Sequence, residues 1–167
     1  MGLDAMIYCD CVEKNRLKVP HPFPGLLYIE KNGSPAIRSK DEAKQEMHDA
    51  WMELPPCKHN SMMVDGYGLG HAGLINHVNE LLQSVLRPPL PSCPVLLERV
   101  LYDGTHTGDY LTISQVGKLW LELKKLKRLD LKNLGVSLRD SDLITLVVAE
   151  LNQLAKAARR VNKPIAF

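Results

Sequence analysis

Apolar positions recur at helical spacing in four stretches of this 167-residue chain. Between His71 and Leu86, the residues Leu74, Ile75, Val78, Leu81, Leu82, Val85 and Leu86 form one stripe, which predicts an amphipathic helix. Ile144, Val147, Val148, Leu151, Leu154, Ala155 and Ala158 form another, in the longest expected helix, which Asn162 and Pro164 stop. Thr112-x-x-Gln115 and Ser137-x-x-Asp140 have the form of capping boxes. The first opens a helix running to about Leu129, with a face of Val116, Leu119, Trp120, Leu123 and Leu126. A fourth helix is expected from Asp41 to Leu54, with Ala43, Met47, Ala50, Trp51 and Leu54 on its inner face, ended by Pro55-Pro56.

Strand signals are concentrated in the first third. Residues 3–12 alternate, with Ala5, Ile7, Cys9 and Cys11 on the more apolar face and Asp4, Met6, Tyr8 and Asp10 on the other. Leu26 to Glu30 is a second short strand, followed by the Asn32-Gly33 turn signal. Met62-Met63-Val64 is a third candidate, which Gly66, Gly68 and Gly70 are expected to break. Val95 to Tyr102 reads equally as a short helix or a strand, and Ile165-Ala166-Phe167 as a short apolar tail. The pattern predicts a single α+β domain, a small N-terminal β-sheet packed with four main helices.

Composition changes little in this picture. Apolar residues are 45% and charged residues 24%, ordinary globular usage that argues against disorder. Net charge is +2, but it is unevenly placed, at −4 over residues 1–111 and +6 over residues 112–167. Neither a membrane nor a nucleic-acid partner is favoured. The N-terminus lacks the basic region of a signal peptide, so a cytoplasmic setting with reduced thiols is expected.

Candidate chemistry lies in two short pieces, Tyr8-Cys9-Asp10-Cys11 and Cys57-Lys58-His59. Cys9, Cys11, Cys57 and His59 are the ligand types zinc prefers, and four of them can close a site. The spacing opposes this. On an extended strand Cys9 and Cys11 start about 6.5 Å apart at Cα, whereas structural sites commonly use a tight C-x₂-C turn. The competing reading makes the cysteines small apolar residues on a buried strand face.

The loop Asp103-Gly104-Thr105-His106-Thr107-Gly108-Asp109 sets a histidine between carboxylates. Asp103, His106 and Asp109 can line a ligand or partner site, or simply form an Asx-type turn. His71 is placed on the apolar face of its helix with His77 six residues on, a spacing that cannot make an i, i+4 metal pair. The glycine run 66–70 fits no phosphate-loop pattern. A basic cluster, Lys124, Lys125, Lys127 and Arg128 with Lys118 and Lys132 nearby, reads as a solvated face or a surface for an acidic protein partner.

The segments MGLDAMIYCDC, CKHN, LYDGTHTGDYL and AARRVNKPIAF resemble a family of small bacterial cytosolic proteins that brings no assigned reaction or catalytic residue. Small α+β proteins of this kind are similar in size and style to immunity proteins that neutralise bacterial toxins. With no catalytic constellation in view, the sequence favours a binding protein of that class, with a toxin or effector as partner. Its rival is a zinc protein or enzyme built on Cys9, Cys11, Cys57 and His59 with His106.

Overall fold

The structure is a computed structural model and describes residues 2–102 and 109–167. The fold is α+β: a four-stranded antiparallel sheet with four helices. β1 (Gly2–Tyr8) lies between β4 (Met63–His71) and β6 (Ile165–Ala166), and β6 in turn pairs with β5 (Tyr110–Leu111). The sheet therefore draws on both ends of the chain rather than on the N-terminal third. The expected apolar tail is an inner strand, with Ile165 fully buried and Ala166 bonded between Met6 and Tyr110. The other N-terminal strands, β2 (Leu27–Ile29) and β3 (Pro35–Ile37), form a separate hairpin around Asn32-Gly33. There Gly33 adopts a φ of 93°, which glycine tolerates.

The glycines of residues 66–70 do not end a strand; they let β4 run nine residues. Gly68 faces Asp4, where a Cβ would stand 3.2 Å from the Asp4 carboxylate. Gly70, at φ 137°, sits where the register slips by one, and a Cβ there would collide with Leu74 at 2.7 Å. This is a β-bulge with close backbone approach, the use of strand glycine that sequence periodicity reads as interruption.

The helices are α1 (Glu42–Glu53), α2 (Ala72–Val85), α3 (Ile113–Leu126) and α4 (Leu138–Val161). The stripes of α2, α3 and α4 pack with Leu3, Ala5 and Ile7 of β1 into the main core. Thr112 and Gln115 make the full capping box, Ser137 accepts the Asp140 N–H, and Asn162 closes α4 in the left-handed conformation. The ambiguous stretch after Pro94 is a single wide helical turn, 96–100. Its first N–H groups are held by a buried carboxylate: Glu122 of α3 accepts from Val95 N (3.1 Å) and Leu96 N (2.9 Å).

Helix α1 departs from its expected face. Met47 and Leu54 are about half exposed, and the buried side chains are His48 and Trp51. The reason is the company α1 keeps. It packs on a second, smaller cluster of Cys9, Cys11, Trp51, Cys57 and Met62, apart from the main core. No helix among the described residues is long and apolar enough to cross a membrane.

Candidate metal centre

Strand β1 stops at Tyr8, not at residue 12, and this changes the geometry of the first cysteine pair. Beyond Tyr8 the chain turns on itself: Asp10 O accepts from Lys14 N, Val12 O from Asn15 N, and Cys11 O from Arg16 N. Asn15 takes a φ of 51° to make the reversal. Asp10 organises the turn with its side chain. It is 6% exposed yet ionic, bonded to Lys14 (2.6 Å) and to Arg16. Burial alone would raise the Asp10 carboxyl, but these two cations outweigh it and hold the group below the usual range.

The second pair arrives from α1. Pro55-Pro56 ends the helix, and Pro56 O accepts from Lys18 N (2.6 Å) and Val19 N (3.1 Å), which stitches the two segments together. Trp51 Nε1 adds a bond to Val19 O (3.1 Å). After His59 the chain passes through two left-handed non-glycine residues, Ser61 (φ 46°) and Met62 (φ 57°). Such residues cost about 1–3 kcal/mol each and persist where the surroundings over-determine them. Here the Met62 side chain is fully buried in the cluster, and its carbonyl accepts the Cys9 N–H at 2.7 Å.

These turns bring the four side chains together. One ligand atom from each of Cys9, Cys11, Cys57 and His59 lies within 4.8 Å of all the others, a group that can hold a metal ion. Cys9 Sγ is 3.7 Å from Cys57 Sγ, and His59 Nδ1 is 3.4 Å from Cys11 Sγ and 3.5 Å from Cys57 Sγ. The three cysteines are 1% exposed, while His59 is half-buried at the rim. The objection drawn from strand spacing fails because C-x-C sits in a turn, where both sulfurs can face one point.

Burial pushes the Cys9 thiol up to about 12 and raises Cys11 as well, so neither is a ready anion at neutral pH by itself. Burial first, then Lys58, lowers His59, so its ring is neutral at pH 7, as a ligand must be. The His59 backbone N–H also donates to Cys57 Sγ (3.4 Å).

The other expected sites do not join this cluster. His71 is exposed and caps α2, its Nδ1 accepting from Leu74 N (3.2 Å), rather than lying on the apolar face. His77 bonds Asp140 (3.0 Å), tying α2 to the first turn of α4. Asp103 and His106 lie outside the described residues; Asp109 accepts from the Tyr102 hydroxyl (2.8 Å) and, through its carbonyl, from Phe167 N. In the basic cluster, Lys124 and Arg159 both stack on Trp120, at 3.5 and 3.9 Å from the ring centre, while Lys125, Lys127 and Arg128 are exposed. Lys163 is buried and bonds Glu13, which anchors the cysteine turn to the end of α4.

One feature had no signal in the sequence: a buried imidazole pair beside the cluster. His21 Nε2 and His48 Nδ1 are 3.0 Å apart, and His21 packs edge-on against Trp51. Phe23 N–H donates to His21 Nδ1 (2.9 Å), so the neutral ring carries its proton on Nε2 and donates it to His48. With that lone pair unavailable, the pair is a hydrogen bond and not a metal site.

Burial, the largest cause, depresses His21. A histidine held neutral in the fold leaves the unfolded chain to bind the proton first. Its contribution is complete above the unfolded value of about 6.5 and declines as pH falls below it. Urea midpoints should therefore drop more steeply from pH 7 to pH 5 in the wild type than in His21→Asn, which keeps an acceptor for Phe23 N–H. Parallel curves for the two proteins would mean that protonation of His21 is not depressed in the fold.

Comparison of the chain with protein-family profiles, with curated proteins and with solved structures gives no match.

Proposed function

We propose that this is a zinc-binding protein in which Cys9, Cys11, Cys57 and His59 hold one Zn²⁺ in a closed, structural site. The observation that carries the reading is the spacing of the ligand atoms. A tetrahedral zinc with Zn–S of about 2.3 Å and Zn–N of about 2.0–2.1 Å has S···S edges of about 3.8 Å and S···N edges of about 3.5 Å. The chain holds Cys9 and Cys57 at 3.7 Å, Cys11 and His59 at 3.4 Å, and Cys57 and His59 at 3.5 Å.

The donor set also fits. Three soft sulfurs and one imidazole select zinc over hard cations, and four protein ligands leave no coordination position for a reacting water. Three thiolates and Zn²⁺ carry one net negative charge, and Arg16, Lys58 and Arg160 all act electrostatically on His59 at this rim. The metal would fasten the cysteine turn to the segment after α1. Its binding displaces the thiol protons that burial otherwise retains.

Elemental analysis of protein purified without chelator or affinity metal tests this directly. About one zinc per chain is expected, with Cys9, Cys11 and Cys57 shielded from a thiol reagent until a chelator is added. Thiols that react at the same rate with and without added zinc would overturn the proposal.

A further inference from the structure

We infer that the Cys9–Cys57 pair makes the metal centre a peroxide-responsive switch, in which a disulfide between these two residues expels the metal. The inference rests on the zinc reading above and concerns how that site is regulated. The two sulfurs are already in van der Waals contact at 3.7 Å. The Cys9 N–H bond to Met62 O, at 2.7 Å, ties the Cys9 backbone to the segment that follows Cys57. Cys9 and Cys57 lie 48 positions apart and close a long loop, whereas Cys9 and Cys11 are separated by one residue.

With zinc bound, both sulfurs are thiolates. Cys57, next to the half-buried His59 rim, attacks one peroxide oxygen. The S–O bond forms as the O–O bond breaks, and the departing hydroxide takes a proton to become water. Cys9 thiolate then attacks the Cys57 sulfur; the S–S bond forms, the S–O bond breaks, and a second hydroxide is protonated to water. Two thiolates lose two electrons, the peroxide gains them, and Zn²⁺ leaves in its original oxidation state. Cys11 and His59 remain, too few ligands to retain it.

Zinc-loaded protein treated with a small molar excess of hydrogen peroxide in the presence of a chromogenic zinc indicator should release about one zinc per chain. A digest should contain the Cys9 and Cys57 peptides linked, with Cys11 and Cys93 still open to alkylation. A dithiol reductant with added zinc should restore the bound state, and Cys93→Ser should behave like the wild type. Zinc retained under peroxide, or released with a different cysteine pairing or with sulfinic acid, overturns this inference alone. A chain that never takes up zinc overturns the zinc reading and this inference together.

Discussion

Cys57→Ala is expected to bind zinc roughly 100-fold more weakly and to lose the ordered packing of its small cluster while keeping the sheet and helices α2–α4. Cys57 is the hub of the site, its sulfur 3.7 Å from Cys9, 3.5 Å from His59 Nδ1 and 3.6 Å from the Met62 thioether. Structural zinc is worth about 10–16 kcal/mol at neutral pH, so one ligand in four carries about 3 kcal/mol, or roughly a 100-fold loss of affinity. The structural effect follows from composition. The small cluster consists of Cys9, Cys11, Trp51, Cys57 and Met62, so three of its five buried members are ligands in the proposed site. Without metal, those thiols cannot offset the left-handed backbone at Ser61 and Met62.

The two tryptophans report the two regions separately. Trp51 lies in the small cluster, and Trp120 packs against the main core. In a Trp120→Phe background, emission from Trp51 should shift to the red in Cys57→Ala or on chelation. In a Trp51→Phe background, emission from Trp120 should stay put. Limited proteolysis should cut between residues 9 and 62 first. An unchanged zinc affinity in Cys57→Ala, or unfolding of both regions together, would contradict this.

Glu122→Ala should destabilise the main core by about 3 kcal/mol, lowering Tm by about 6–12 °C for a chain of this size. Glu122 is 7% exposed and gives one carboxylate oxygen to Val95 N and the other to Leu96 N. Removing it leaves two buried N–H groups without acceptors at the start of the 96–100 turn, where the backbone has no partner of its own to offer. Glu122→Gln should cost less, about 1–2 kcal/mol, because its amide keeps one acceptor oxygen and sets an NH₂ against the other N–H. The nearby exposed Glu98→Ala should stay within about 0.5 kcal/mol of the wild type. Thermal melts of the zinc-loaded proteins give the comparison. Zinc content should be unchanged in Glu122→Gln, since the carboxylate lies in the other cluster. A Glu122→Ala melt that matches Glu98→Ala would mean the two bonds do not hold the turn.

How much of this was legible beforehand differs from element to element. The apolar stripes of α2 and α4, the Thr112–Gln115 box and the Asn32-Gly33 turn could be read directly, because each depends on neighbours within a few residues. The inner face of α1 could not. Its partners are the cysteine turn and His21, and a lone buried histidine looks polar to any hydrophobic pattern. Glu122 was hidden for the same reason, its acceptor role being set by N–H groups 26 and 27 positions away.

By itself, the sequence determined the α+β class, the places where helices begin and end, and the nomination of Cys9, Cys11, Cys57 and His59 by ligand type. Tertiary structure alone decided that those four converge. Alternation of side chains carried the strand reading through Cys11, and nothing local announced that a buried Asp10, tied to Lys14 and Arg16, would turn the chain there instead. It also decided that the last residues are an inner strand, since β6 finds Met6 and Tyr110 only after the rest of the chain has packed. Local propensity acts over a turn or two. A site built from positions 9 and 57 depends on long-range hydrogen bonds that no short window of sequence contains.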